Sequence, residues 1–263
     1  MAQPNISAVD AQDGAVTPEI RVALAPRGRL RAAINYGNPI LAARHPASGA
    51  PTGVSVDLAT RLAALTGLAL EWVPYDAAGK VVDGLARDEW DVAFVARDPV
   101  RGKGIAQTLP YVVIEGAYLV REDSPIRANE QVDRKGIRVV VGQGSAYDLF
   151  LTRTLENAAI TRAATSQAVV ATLLSGNDDV AAGVRQQLES DAARVPGLRL
   201  LDGRFMVIEQ AMGTPLGRPL AFDYVSRFLR AMLDSGFVQR ALEAHGINGA
   251  TVVSPAPARE QTA

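Results

Sequence analysis

The sequence predicts an α/β fold of two lobes, and three observations lead to that prediction. Residues 30–96 alternate between strand-like and helix-like patterns. Residues 137–201 repeat the alternation in a second series of similar size. A join near residues 111–121 separates the two series, so the chain can form two lobes with a ligand cleft between them.

The first series reads as three strands joined by two helices. Leu58, Leu62 and Leu65 recur at helical spacing, which predicts one buried helix face. Ser55 can cap this helix, and Gly67 can end it. The alternating order indicates parallel strands with helices on the faces of the sheet. The predicted elements are strand 30–34, helix 54–67, strand 68–75, helix 79–87 and strand 91–96.

The second series has the same character and is followed by a long amphipathic stretch at 220–245, whose apolar face carries Phe222, Val225 and Phe228. The chain ends, 1–18 and 251–263, are polar and are predicted to be disordered. The elements of the second series are strand 137–142, helix 146–157, strand 160–164, helix 166–174, strand 179–184, helix 185–194 and strand 198–201.

Composition excludes several classes of function. Net charge is −1, from 27 basic and 28 acidic residues, so bulk charge gives no reason to expect nucleic-acid binding or attachment to a membrane surface. The chain has no cysteine, and its only histidines are His45 and His245, so we expect neither a metal site nor a cofactor. No apolar run approaches the length of a membrane span.

The N-terminus shows no basic segment followed by an apolar one, which is the pattern of a secretory signal. As written, the chain is therefore expected to be cytoplasmic. It is expected to be periplasmic if a signal was removed.

The segment 142–147, Gly-Gln-Gly-Ser-Ala-Tyr, joins a strand to a helix. Such a junction places free backbone N–H groups at the positive end of a helix dipole, where an anion binds well. An ordinary turn is the other interpretation of the same residues. A nucleotide site is disfavoured, because no third glycine or Lys-Ser/Thr follows at the required spacing.

Short motifs between residues 29 and 249 resemble the amino-acid-type, family 3, extracellular solute-binding proteins of ABC transporters. The order and spacing of four motifs carry the resemblance: Gly-Val-Ser-Val-Asp-Leu-Ala at 53–59, Trp-Asp-Val-Ala at 90–93, Ile-Ala-Gln-Thr-Leu-Pro-Tyr at 105–111 and Val-Gly-Gln-Gly-Ser at 141–145.

The resemblance implies the type II periplasmic-binding-protein fold, with a hinge of two crossing strands. Lobe one would comprise 19–117 plus 212–250, and lobe two would comprise 118–211. The implied function is to bind a small carboxylate-bearing metabolite, an amino acid or related organic acid, in the cleft and to pass it to an ABC permease. No nucleic acid or membrane insertion is implied.

Arg101 matches the family arginine that binds the ligand carboxylate. A planar guanidinium can make two parallel charge-assisted bonds to a carboxylate. Arg97 is a rival for this role, and Arg101 could instead be a surface residue.

Other candidates are placed by the same resemblance. Ser145, Ala146 and Tyr147 match positions of the second lobe that contact the ligand, although Tyr147 could simply pack. Asn35 and Asn38, with Tyr36 between them, follow the first strand, where the family places polar or aromatic contacts; a plain turn is the alternative.

One departure from the family concerns the ligand ammonium. The family aspartate that binds this group is replaced by Val184, and Arg185 follows it. Either the ligand is a carboxylate other than an ordinary α-amino acid, such as a dicarboxylate, or Asp98 or Glu209 takes over the aspartate's role. Arg185 could equally be a solvated helix residue.

An enzyme is the alternative to a binding protein. Cyclohexadienyl dehydratases share the scaffold and use an acid in the cleft, for which Glu209 and Asp98 are the available residues. Neither has a recognisable partner base, so we assign no catalytic residue.

Overall fold

A computed structural model of the chain describes residues 16–253. Its helices are α1 Pro18–Leu24, α2 Val54–Thr66, α3 Ala78–Ala86, α4 Ala146–Thr154, α5 Val169–Ser175, α6 Arg185–Arg194, α7 Pro219–Asp234 and α8 Phe237–Ala244. Its strands are β1 Leu30–Asn35, β2 Ala43–Arg44, β3 Pro51–Thr52, β4 Leu70–Tyr75, β5 Val92–Ala96, β6 Ile105–Arg121, β7 Arg138–Gly142, β8 Ala159–Ala163, β9 Val180–Val184, β10 Leu198–Leu200, β11 Met206–Pro215 and β12 Thr251–Val252.

Two long strands connect the two α/β series. The main sheet runs in the order β4-β1-β5-β11-β6-β9-β7-β8, so β6 and β11 stand side by side in its middle. They pair antiparallel with each other, β11 also pairs with β5, and β6 also pairs with β9. We call β4, β1 and β5 with their helices the first lobe, and β9, β7 and β8 with theirs the second lobe.

Within each lobe the strands are parallel, as the alternating sequence predicts. β1 pairs parallel with β4 and β5, and β7 pairs parallel with β8 and β9. Every residue of β5 is buried, because helices cover both faces of this part of the sheet. The two-lobed fold with two crossing strands is confirmed. The predicted lobe boundaries fall inside or beside β6 and β11 and stay predictions.

The long stretch predicted at 220–245 is two helices rather than one. Helix α7 ends at Asp234, and Gly236 adopts the left-handed conformation at φ 71° before α8 begins. Val225 and Phe228 of α7 and Leu242 of α8 are buried in the core, whereas Leu220 is 40% exposed and Phe222, predicted on the apolar face, is only partly buried. The Ser-Gly pair at 235–236 is the sequence signal for this interruption.

Two local expectations for the first lobe differ from the structure. Ser55 does not cap α2; its Oγ lies 3.1 Å from the buried hydroxyl of Tyr111, and Gly53 occupies the cap position. The sequence analysis also did not identify helix α1, which Thr17 caps with its side chain. Gly67 ends α2 in the left-handed conformation, as predicted.

The chain end returns to the centre of the sheet. Thr251 and Val252 form β12 and pair antiparallel with Val113 and Val112 of β6. These two residues belong to the segment that was predicted to be disordered from residue 251. The predictions for 1–15 and 254–263 lie outside the described residues, and Thr17 and Pro18, which belong to the other segment predicted to be disordered, cap and begin α1. Within 16–253, no helix is long and apolar enough to cross a membrane.

Candidate functional site

A cavity lies between the two lobes, at the carboxyl ends of their strands. The cavity is small, with a volume of about 40 Å³. We call the residues that line it the cavity wall: Asn35, Gly37, Asn38, Ala78, Phe94, Val95, Ala96, Arg101, Ser145, Ala146, Tyr147, Ser166, Val184, Ile208 and Gln210.

Arg101 carries the only charge on the cavity wall. It lies on a short 3-10 turn that follows β5, and it is only 2% exposed. Its Nη1 donates to the carbonyl of Ala96 at 3.0 Å, and its Nη2 donates to the carbonyl of Gly144 at 2.9 Å. Its Nε is buried and has no hydrogen-bond partner among the described residues. Because a guanidinium has five N–H donors, Arg101 keeps donors that a ligand can use.

Burial also affects the electrostatics of Arg101. It lowers the pKa of the guanidinium to about 10, although the nearby Asp98 carboxylate acts in the opposite direction. The Arg101 side chain is therefore still charged at neutral pH, although its burial disfavours the charged form. A bound carboxylate would provide the compensating negative charge.

The start of α4 contributes the second lobe's part of the cavity wall, next to Arg101. Ser145 is the N-cap, and its Oγ accepts from the N–H of Asp148 at 3.0 Å. The Asp148 carboxylate accepts in turn from the N–H of Gly144 at 2.8 Å. These two bonds hold the loop in place and leave the Ser145 hydroxyl hydrogen free to donate. A helix N-terminus and a guanidinium thus meet at the cavity.

Tyr147 lines the cavity as a packed residue whose hydroxyl is already engaged. It is 3% exposed, and it donates to Ser166 Oγ at 2.8 Å. Burial raises the pKa of its phenol, so it stays protonated at neutral pH. Ser166 receives this hydrogen bond and keeps its own hydroxyl hydrogen for a ligand. Ala146, the remaining predicted residue of this helix, lies on the wall beside them.

Three amides give the wall neutral polar groups. The Oδ1 of Asn35 accepts from the N–H of Gly37 at 2.9 Å. The Oδ1 of Asn38 is buried without a partner among the described residues. Gln210, on β11, is 6% exposed, and its side-chain amide makes no hydrogen bond to any described residue. The rest of the wall is mostly apolar, with Phe94 held edge-on against Tyr111 at a centroid distance of 6.2 Å.

Four of the predicted site residues do not lie on the cavity wall. Arg97 pairs with Glu209 at 3.0 Å, and both side chains are 45% exposed. Asp98 is buried and accepts from Arg153 at 2.8 Å. Arg185 pairs with Glu115 at 2.8 Å and donates to the Gly203 carbonyl. The ring of Tyr36 packs under the guanidinium of Arg44, at 4.4 Å.

Several of these groups hold the two lobes together instead. The Asp98–Arg153 pair joins the loop after β5 to α4, and Gln167 Nε2 donates to the Tyr36 carbonyl at 2.8 Å. Arg101 makes the third such link, through Gly144. The structure therefore has the lobes in contact on both sides of the cavity.

A dehydratase-like reaction would need an acid in the cleft, and the candidates were Glu209 and Asp98. Glu209 pairs with Arg97 and Asp98 pairs with Arg153, so both carboxylates are in ion pairs. The wall itself contains no carboxylate. Sequence reasoning missed Phe94, Ile208, Ser166 and Val95 as wall residues. Phe94 and Val95 lie in a predicted strand and Ser166 follows one, which was their only signal, and Gln210 was not assigned to the site.

Comparison with known proteins agrees with this architecture. The model of the bacterial extracellular solute-binding proteins, family 3, matches residues 30–246. No curated protein sequence matches the chain significantly.

Solved structures with the same fold are similar over most of the chain. A solute receptor for L-cysteine of Neisseria gonorrhoeae has a TM-score of 0.74 at 20% identity, over 85% of this chain and 92% of that one. An amino acid ABC transporter substrate-binding protein of Streptococcus pneumoniae bound to L-arginine has a TM-score of 0.72 at 18% identity, over 84% and 96%. An ancestral amino acid-binding protein, described as a precursor of cyclohexadienyl dehydratase, has a TM-score of 0.70 at 21% identity, over 84% and 96%.

Proposed function

Since the chain belongs to the bacterial extracellular solute-binding proteins of family 3, we propose that it binds a small carboxylate in the cavity between its lobes and delivers it to an ABC permease. The observation that carries the proposal is the position of Arg101. The Arg101 side chain is a buried cation with unused donors, and it lies beside the N-terminus of α4 on a cavity wall that has no acid among the described residues.

The proposed binding mode places the ligand carboxylate between Arg101 and Ser145. The guanidinium supplies charge-assisted hydrogen bonds, and the helix start supplies N–H groups and a hydroxyl. A carboxylate in this position contacts both lobes and so favours the closed arrangement. Ligand-driven closure of this kind requires only that the ligand bind the closed arrangement more tightly than the open one.

The family also supports the remaining parts of the proposal. Its description is of extracellular proteins, so we place the binding step outside the cytoplasm, the second of the two locations considered from the sequence. The solute receptors among the structural neighbours include ABC transporter components, which supports a permease as the partner. Deletion of the gene should therefore reduce uptake of the ligand at low external concentration.

A thermal-shift series tests carboxylate binding directly. The purified chain is titrated with straight-chain monocarboxylates from acetate to hexanoate and, as matched controls, with the amides of the same acids. A binding acid should raise Tm in proportion to the logarithm of its concentration above Kd, and its amide should give little shift. Equal shifts with acid and amide, or no shift with any acid, would overturn the proposal.

A further inference from the structure

The charges around the cavity are unbalanced. Arg101 is its one charged side chain, and the wall has no aspartate, glutamate, histidine or lysine. A ligand ammonium would lie near a buried guanidinium with no carboxylate facing it. Repulsion between like charges and the loss of hydration would both oppose its binding.

The buried acids on the segments that carry Arg101 and Ser145 are already engaged. Asp98 accepts from Arg153 and from the N–H of Val100, and Asp148 accepts from the N–H of Gly144 and from Arg162. Neither lies on the wall. To receive a ligand ammonium, either carboxylate would have to give up contacts that stabilise the lobes or the α4 loop.

Two wall residues that end strands, Val184 and Ala96, have small or apolar side chains. Val184 ends β9 and lines the cavity with an apolar side chain. Ala96 ends β5 and has no side-chain acceptor, and its carbonyl already accepts from Arg101 and Gln107. The part of the ligand next to its carboxylate therefore meets neutral groups.

Polar recognition of this part of the ligand falls to neutral amides. Among the described residues, the buried Oδ1 of Asn38 has no hydrogen-bond partner. Gln210, 6% exposed, adds a second neutral amide to the wall. A buried amide oxygen without a donor is unfavourable, so a ligand that supplies one gains affinity. A hydroxyl both donates and accepts, so it can pair with either end of an amide, whereas a keto oxygen only accepts.

From this juxtaposition of Arg101 with Asn38 and Gln210, we infer that the preferred ligand is a compact hydroxy monocarboxylate that has no ammonium group. The inference rests on the proposed function and narrows its ligand class. The single cation on the wall disfavours a dicarboxylate, and the small size of the cavity disfavours a long side chain.

The test compares acids that share one carbon skeleton. At the chain length that binds best in the carboxylate series, calorimetry measures Kd for the unsubstituted, α-hydroxy, β-hydroxy, α-oxo and α-amino acids. One of the hydroxy acids should bind most tightly, about 10-fold or more tighter than the unsubstituted acid. The α-amino acid should bind at least about 10-fold more weakly than the hydroxy acid of the same length.

A variant pair links the preference to Asn38. In Asn38→Ala the hydroxy acid should bind no better than the unsubstituted acid. Asn129→Ala is the matched control, because Asn129 also has a buried Oδ1 without a partner among the described residues but does not lie on the wall. It should keep the preference for the hydroxy acid.

The outcomes separate the two proposals. If no acid of any kind binds, the proposed function fails and the inference fails with it. If acids bind but the α-amino or the unsubstituted acid is preferred, the hydroxy-acid inference is overturned and carboxylate binding stands. If the hydroxy acid is preferred equally by the native chain and by Asn38→Ala, the assignment of the hydroxyl to Asn38 is overturned.

Discussion

The guanidinium of Arg101, in the first lobe, donates from Nη2 to the carbonyl of Gly144, in the second lobe, at 2.9 Å. One buried side chain therefore belongs both to the proposed ligand site and to the contact between the lobes. A carboxylate that binds Arg101 acts on a group that already joins the lobes, so ligand binding and closure are coupled by direct contact rather than over a distance.

Replacement of Arg101 by methionine should abolish carboxylate binding without unfolding the chain. We expect Kd to rise at least about 100-fold, since two charge-assisted hydrogen bonds are lost. The free energy of unfolding should change by no more than about 1 kcal/mol or should increase, because a buried cation is removed. Calorimetry and urea denaturation measure the two quantities.

Arg97→Met is the matched control for that variant. Arg97 lies four positions earlier, but its side chain is 45% exposed and pairs with Glu209 off the wall. Its replacement should leave Kd within about threefold of the native value. If Arg97→Met lost binding and Arg101→Met kept it, the role of binding the ligand carboxylate would have to be reassigned to Arg97.

A methyl group at Gly144 should keep the lobes apart. Gly144 has φ 67°, and a Cβ there would lie 2.8 Å from the Cα of Gly79 in the first lobe. Gly144→Ala should therefore weaken ligand binding as well as fold stability. Small-angle scattering with saturating ligand should show a larger radius of gyration than for the native chain.

Gly136→Ala is the control that distinguishes backbone strain from the steric clash between residue 144 and Gly79. Gly136 has φ 93°, but nothing lies within 4 Å of its added Cβ. Both alanine variants should lose about 1–2 kcal/mol of stability from the left-handed conformation. Only Gly144→Ala should change Kd, and equal changes of Kd in the two variants would contradict a steric role for the Gly79–Gly144 contact.

The Arg153–Asp98 pair should favour closure, and Arg153→Gln tests this. The variant leaves the buried Asp98 without its cationic partner across the cleft, so stability should fall by about 1–3 kcal/mol. Ligand affinity should fall too, because the closed arrangement loses one of its links.

Arg162→Gln provides the comparison within one lobe. Arg162 pairs with the buried Asp148, as Arg153 pairs with the buried Asp98. The two arginine side chains are exposed to the same degree, 42% for Arg162 and 41% for Arg153. Asp148 keeps its bonds from Gly144 and Thr152. A similar loss of stability with unchanged Kd is expected; an equal loss of affinity in both variants would mean that the effect is not one of closure.

Ligand affinity should be independent of pH over a wide range. A carboxylate titrates near about pH 4, and the pKa of Arg101 is lowered only to about 10, so both partners stay charged between about pH 6 and about pH 8.5. Affinity should fall below this range as the ligand takes up a proton, and above it as Arg101 loses one. A change of Kd of more than about threefold within the range would point to another titrating group in the site.

The alternation of strands and helices was predictable because each element carries its own periodicity. Arg101 and Ser145 could be placed on the site from short motifs whose spacing fixes their positions relative to a strand end. The roles of Arg97, Asp98 and Arg185 could not be read in this way. Their partners Glu209, Arg153 and Glu115 are distant in the sequence, so only the folded chain shows which charges neutralise each other.

The missed wall residues have a related cause. Ile208 and Gln210 lie on β11, where successive side chains alternate between faces, and the sequence alone does not say which face borders the cavity. Ser166 lies on the wall in contact with Tyr147, and this contact depends on how α4 packs against the segment that follows β8. Such contacts are set by tertiary packing and leave no periodic trace.

The pairing of β12 with the middle of β6 has a consequence for how far the protein can open. Val112 and Val113 are hydrogen-bonded to β11 on one side and to β12 on the other, so the crossing strand is stiffened at this point. Flexing there would strain the C-terminal segment as well. We therefore expect substitutions in β12 to change how readily the lobes separate without altering any group on the cavity wall.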